Sequence, residues 1–198
     1  LSGQLPRILV VFALQAESDG VFEAAGIPVL YCGVGKVNAT FALTRELERY
    51  RHAQRPLPLV VNFGSAGSRQ HAGGALLACH EFVQRDMDVR ALGFALGVTP
   101  FDEAPARLTF ARRFTTLPPG VCASGDSFAT TACEMSGDVL DMEGYALAKV
   151  CWRERCEFAC VKYVTDGADH EAADHWQSNV HRAAELFLGL YRELAPAD

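Results

Sequence analysis

Unbroken apolar runs of strand length recur along this chain, and the stretches between several of them repeat their apolar positions at helical spacing. Ile8 to Leu14, Pro28 to Cys32, Leu57 to Phe63, Ala75 to Val83, Val121 to Ala123, Val139 to Met142 and Phe158 to Thr165 predict strands. Runs without polar alternation are the pattern of strands covered on both faces, as in a largely parallel sheet. Glu17 to Ala25 predicts a short helix closed by Gly26. Gly33-Val34-Gly35-Lys36 turns the chain into a long amphipathic helix whose apolar positions are Val37, Phe41, Leu43, Leu47 and Tyr50. Gly144 to Arg155 predicts another helix. Ala172 to Leu194 predicts a last one, with Ala183, Ala184, Leu186, Phe187, Leu190 and Leu194 on its apolar side. The segment from Asp86 to Arg113, marked by Gly93, Gly97, Pro100 and Pro105, reads as a loop with short extended pieces. Strands alternating with helices predict a three-layer α/β/α fold around a mainly parallel mixed central sheet, with residues 1–198 forming one domain.

Composition narrows the functional classes. The chain is 49% hydrophobic and 21% charged, with a formal net charge of -6. It carries no basic run, which disfavours a nucleic-acid partner. No apolar run reaches the ~18 residues of a membrane span, and no signal-peptide n-region is present. Seven cysteines without a CxxC pair argue against a disulfide framework or a zinc knuckle. Buried, reduced thiols in a cytoplasmic protein are the expectation.

The chemistry gathers after the apolar runs. Ile8–Leu14 is followed by Gln15-Ala16-Glu17, and Leu57–Phe63 by Gly64-Ser65-Ala66-Gly67. Val121–Ala123 leads into Ser124-Gly125-Asp126-Ser127-Phe128, Val139–Met142 into Glu143, and Phe158–Thr165 into Asp166. In open α/β sheets ligands sit beyond the carboxyl ends of the strands. Small residues there let backbone N–H groups approach a ligand, and carboxylates can grip hydroxyls or exchange protons. Gly33-Val34-Gly35-Lys36 is no phosphate-binding P-loop, because Val37 follows the lysine. His170 and His175 stand near Asp169 and Asp174 without the spacing of a metal-ligand pair, and neither a metal nor a cofactor is expected.

Five of these words in register resemble the nucleoside phosphorylase superfamily. They are Gly33-Val34-Gly35-Lys36-Val37-Asn38-Ala39, Asn62-Phe63-Gly64-Ser65-Ala66-Gly67, Ser124-Gly125-Asp126-Ser127-Phe128, Asp141-Met142-Glu143-Gly144 and Val164-Thr165-Asp166-Gly167-Ala168-Asp169. The branch they resemble is the 5′-methylthioadenosine/S-adenosylhomocysteine nucleosidases, whose Asp-Val-x-Ala-x-Gly-Tyr segment is similar to Asp88-Val89-Arg90-Ala91-Leu92-Gly93-Phe94. The resemblance implies that Glu17 activates a water and that Asp166 protonates the purine. It implies that Glu143 holds the ribose hydroxyls with Met142 packed on the sugar. Phe128 would stack on the base, with the Ala129 backbone at the base's edge. Ser65 and Thr165 take the small hydroxyl positions, and Trp176 lies near the 5′-substituent.

The implied activity is hydrolysis of a purine nucleoside's N-glycosidic bond in a homodimer, with the segment from Leu92 to Phe101 as the contact. Alternatives are a phosphorolytic enzyme, a futalosine-type hydrolase and a non-catalytic nucleoside-binding protein. Hydrolysis is favoured because no arginine adjoins Gly64–Gly67 on its strand side and a carboxylate at Glu17 would repel phosphate. The chain also departs from the branch. It runs from Gly26 almost directly into Pro28–Cys32, and it is trimmed between Phe128 and Val139, which implies a more open rim.

Overall fold

The computed structural model describes residues 5–128, 134–135, 137–168, 175–176 and 179–194. Among the described residues there are eight strands: β1 (Ile8–Phe12), β2 (Val29–Tyr31), β3 (Leu59–Gly67), β4 (Leu76–Gln84), β5 (Arg107–Thr109), β6 (Pro119–Ser124), β7 (Val139–Asp141) and β8 (Phe158–Asp166). The helices are α1 (Gln15–Ser18), α2 (Val21–Ala24), α3 (Lys36–His52), α4 (Gly144–Glu154) and α5 (Ala184–Leu194). Among the described residues, no helix is long and apolar enough to cross a membrane.

Side-chain alternation along β1 shows why the layers form. Leu9 and Val11 point into a core shared with Ala39, Leu43 and Leu47 of α3 and with Leu147 and Cys151 of α4. Val10 and Phe12 point the other way, into a core with Phe22, Phe63, Phe187 and Leu188. A strand apolar on both faces needs a helical layer on each side, and the chain supplies α3 and α4 on one, α2 and α5 on the other. Aromatic packing fixes the second layer, with the rings of Phe63 and Phe187 stacked 5.0 Å apart.

The sheet is mixed, as expected, and it curls. β1 pairs in parallel with β2 and β3, β3 with β8, β4 with β6, and β6 with β7. β4 runs antiparallel to β8 and β5. Beyond the reach of β1, Gly67 on β3 pairs with Leu140 on β7, so β3, β8, β4, β6 and β7 close into a ring. That closure brings the ends of β3, β7 and β8 to one place.

Four local expectations are corrected. The helix expected over Glu17–Ala25 is two short turns, because Asp19 and Gly20 take left-handed φ values of 46° and 71°. Gly64-Ser65-Ala66-Gly67 does not follow β3 but continues it, since β8 supplies ladder partners as far as Asp166. The expected helix over Ala172–Leu194 is interrupted by turn residues 180–183 and resumes at Ala184, with Leu186 facing outward. On α3 the buried stripe is Ala39, Leu43, Leu47 and Tyr50, whereas Val37 and Phe41 stand 78% and 66% exposed.

Candidate functional site

Three buried carboxylates from distant parts of the chain meet on one cavity of about 280 Å³. Its walls include Glu17, Ser65, Phe128, Met142, Glu143, Asp166 and Trp176. Seven of the nine sequence-derived site residues are thus brought together. Thr165 does not line the cavity itself; its hydroxyl lies 2.8 Å from Asp166 Oδ2. Ala129 lies outside the described residues.

Glu17 sits in the turn that follows β1 and is held by four donors. Its Oε1 accepts from the Ser65 amide and hydroxyl, both at 2.8 Å, and its Oε2 from the amides of Ala13 and Leu14 at 3.0 and 3.1 Å. The Trp176 indole N–H donates to Ser65 Oγ at 2.9 Å, so the indole steadies the hydroxyl that steadies Glu17.

Asp166 ends β8. Its Oδ1 accepts the Ala168 amide at 3.0 Å, and its Oδ2 meets the Thr165 hydroxyl at 2.8 Å. That hydroxyl also faces the Ala66 carbonyl at 3.3 Å. With one proton to give, Thr165 can serve either oxygen, so the spot can accommodate Asp166 as carboxylate or as acid. Ala168 adopts a left-handed φ of 50°, and its carbonyl accepts from Arg69 at 2.7 Å. Gly67 makes room for this loop. A Cβ there would fall 2.5 Å from Asp166 Oδ1 and 3.1 Å from the Ala168 Cβ. Gly67→Ala is therefore expected to displace the Asp166 carboxyl. A crystal structure of the variant should show that carboxyl turned away from the Ala168 amide, beside a circular-dichroism spectrum that stays native.

Glu143 caps the start of α4 and reaches across to α3, where its Oε1 accepts the Gly35 amide at 2.7 Å. Gly35 itself has a φ of 91°, a conformation that suits glycine alone. Burial pushes the Glu143 carboxyl up to about 8. The charge of Asp141 adds to that rise, while Lys162 and the Gly35 amide oppose it.

Sequence reasoning missed Lys162 and gave Asp141 no role. Lys162 is only 2% exposed, and its Nζ lies 2.8 Å from Asp141 Oδ2. Asp141 is further held by the Ser124 hydroxyl and by the Gly144 amide at 2.8 Å. Burial disfavours both charges, yet each overrides that for the other: Asp141 is held below the usual carboxylate range and Lys162 well above that of a lysine. Gly64 leaves room for both this cation and Glu17, since a Cβ there would sit 3.1 Å from Lys162 Nζ and 3.2 Å from Glu17 Oε1. The available signal was one lysine inside a fully apolar strand, a residue type that is almost never buried unpaired. Lys162→Met should strand the Asp141 charge and lower stability by roughly 3–5 kcal/mol in a urea titration. Adding Asp141→Asn is expected to recover part of that loss.

A sequence model of the phosphorylase superfamily matches residues 22–195. The chain belongs to the phosphorylase superfamily. Among its curated relatives, a 5′-methylthioadenosine/S-adenosylhomocysteine nucleosidase of Geobacillus thermodenitrificans is 30% identical over 197 residues, covering 89% of this chain and 81% of the relative. One of the same name from Anoxybacillus flavithermus is 28% identical over 189 residues, covering 84% and 78%. In fold, this superfamily member is similar to a futalosine hydrolase mutant of Helicobacter pylori, with a TM-score of 0.83, 22% identity and coverage of 96% and 100% of the two chains. It is equally similar to a Helicobacter pylori nucleosidase mutant holding 5′-methylthioadenosine, with a TM-score of 0.82, 21% identity and the same coverage. Among the described residues, no group of three His, Cys, Asp or Glu side chains is placed to hold a metal ion.

Proposed function

We propose that this superfamily member hydrolyses the N-glycosidic bond of a purine nucleoside of the methylthioadenosine/S-adenosylhomocysteine type, releasing the free base and a ribose derivative. The observation that carries this reading is the convergence of Glu17, Glu143 and Asp166 on one cavity. Cleavage leaves negative charge on the base and positive charge on the ribose. Asp166, at the β8 end, is the group that protonates the base, while Phe128 offers a stacking face. Glu143 accepts from the ribose hydroxyls and faces the oxocarbenium-like sugar, whose charge favours the ionised carboxylate. Glu17 orients the attacking water, with Met142 packed on the sugar. Thr165 and Ser65 position the two outer acids, and Trp176 borders the 5′ side through its bond to Ser65.

Hydrolysis is favoured over phosphorolysis by the donors around Ser65. Its amide and hydroxyl could have cradled an anion, but both are given to Glu17. Arg69 is turned to the Ala168 carbonyl, and Lys162 is matched by Asp141. A nucleoside panel assayed with and without phosphate tests this. Free base should appear at equal rates in both buffers. Strict phosphate dependence would instead establish the phosphorylase, and base binding without release would establish a binding protein.

We infer that the enzyme acts as a cytoplasmic homodimer. Support comes from apolar side chains clustered on one face. Val37 and Phe41 line a groove of about 980 Å³ between α3 and α4, larger than the acid-lined cavity but without its carboxylate trio. Asp102 pairs with Lys149 and Arg153 on that groove's wall. This ties the neighbouring loop to α4, where Phe101 is 98% and Leu92 71% exposed. Such an apolar surface marks a protein contact. Light scattering at micromolar concentration should give twice the chain mass, and Phe41→Glu should halve it.

A further inference from the structure

We propose that Cys151 and Cys156 form a redox-active dithiol at the far end of α4, which hydroperoxides convert to an intrachain disulfide.

The pair is assembled by the way α4 stops. Arg155 takes a left-handed φ of 55° after the last helical residue. The Cys156 amide then donates to the Cys151 carbonyl at 3.0 Å, and the Arg155 amide to that of Trp152 at 3.3 Å. These two bonds are the 6→1 and 5→2 pairs of a Schellman motif, which sets the side chain three positions before the cap against the one two positions after it. Apolar residues usually fill those places. Here both are cysteines, Cys151 inside the core on the α3 side of the sheet and Cys156 partly buried against that core. A disulfide needs about 4.4–6.8 Å between Cα atoms. A chain closed by a 6→1 bond brings the two backbone positions together, so that side-chain rotation can meet that need.

The two sulfurs are unequal in the way a reactive pair requires. Cys151 is buried, whereas Cys156 is the one described cysteine that is not; Cys32, Cys79, Cys122 and Cys160 are all enclosed. The neighbouring Cys151 thiol holds Cys156 below the usual range of a thiol, an effect to which the Arg51 guanidinium at the end of α3 adds and which burial opposes. Thiolate character with access to solvent is what makes a cysteine the attacking partner. The pair sits at the opposite end of α4 from Glu143, ~16 Å away along an 11-residue helix, so it is separate from the acid-lined cavity.

The step balances with a hydroperoxide as oxidant. The Cys156 thiolate attacks a peroxide oxygen, the O–O bond breaks, and hydroxide (or alkoxide) leaves with the electron pair, giving a sulfenic acid. The Cys151 sulfur attacks that sulfenic sulfur, the S–O bond breaks, and water leaves carrying the Cys151 proton. Two thiols have lost two electrons and the peroxide has gained them. Only four residues separate the cysteines, so the closed loop is short and adds little to stability by chain entropy.

Tryptic mapping reads this directly, because Arg153 and Arg155 lie between the two sulfurs. The folded protein is treated with hydrogen peroxide, its remaining thiols are alkylated under denaturing conditions, and it is digested. Peptide Val150–Arg153 should be found joined to peptide Cys156–Lys162, two hydrogens lighter than the sum. Fragmentation should place the link at Cys156 and not at Cys160, and dithiothreitol should release it. Iodoacetamide applied to the untreated folded protein should label Cys156 before the other described cysteines. Cys151→Ala should divert Cys156 to the sulfinic acid, and Cys156→Ser should abolish the link while leaving base release at the wild-type rate. Wild-type Cys156 unmodified, over-oxidised beside a reduced Cys151, or joined to Cys160 would each overturn the assignment.

Discussion

Asp166→Asn should lower free-base release by about 10²–10⁴-fold, the usual contribution of a positioned general acid. The amide keeps the size of the side chain and can still accept from the Ala168 amide, so the β8 end and its loop should hold. What is lost is a proton that can be delivered to the departing base. The loss should fall on kcat more than on KM, because proton transfer stabilises the transition state and not the bound substrate. A nucleoside whose leaving group needs no protonation is the control, and the variant should cleave it at close to the wild-type rate. An equal deficit on both substrates would remove Asp166 from the acid's role.

Glu143→Gln should have two opposed effects. Base release should drop by on the order of 10²–10³-fold, as when one electrostatic contact to a developing charge is removed. Stability should change in the other direction at alkaline pH. The Glu143 carboxyl rises to about 8 in the fold, chiefly through burial, from an unfolded value near 4.3. Between those two values the folded state holds a proton that the unfolded chain has released. Stability from this group is therefore full below the unfolded value and is lost as pH rises through about 8. In glutamine that slope disappears. Urea midpoints measured from pH 5 to 9 should decline for the wild type and stay flatter for the variant, with the gap widest at the alkaline end. The same ionisation should appear in catalysis, with wild-type kcat/KM rising toward pH 8 as the free enzyme's Glu143 becomes a carboxylate.

Much of this architecture was legible because buried strands write themselves as apolar runs. The ends of β1, β7 and β8 could be located from Leu14, Met142 and Thr165 to within a few residues, and the acids after them, Glu17, Glu143 and Asp166, were the candidates that now share a cavity. The ring closure was not legible. It rests on one backbone pairing, Gly67 with Leu140, and backbone pairing leaves no side-chain signature. The outward stripe of α3 was misread for a related reason. Val37 and Phe41 repeat at helical spacing as regularly as Ala39, Leu43 and Leu47 do, and periodicity does not say which of two apolar stripes meets the core. Lys162 shows a different limit. Its charge was visible inside an apolar run, but its partner Asp141 is 21 positions away on another strand, and only the fold brings them to 2.8 Å.

The two glycines of the Gly64–Gly67 word gained meaning from the structure. Each occupies a spot where a methyl group would intrude on a buried ionisable side chain, Lys162 and Glu17 at one, Asp166 at the other. Smallness at the end of β3 thus leaves the room these side chains occupy, beyond any approach of backbone to ligand.

Glu17, Glu143 and Asp166 are proposed to address one bond between a sugar and a purine. A crystal structure of the Asp166→Asn variant soaked with 5′-methylthioadenosine measures this most directly. The side chain at position 166 should lie within hydrogen-bonding distance of a purine nitrogen, Glu143 should bridge the ribose hydroxyls, and a water should sit between Glu17 and the anomeric carbon. A nucleoside seated with its glycosidic bond away from these three side chains would contradict it.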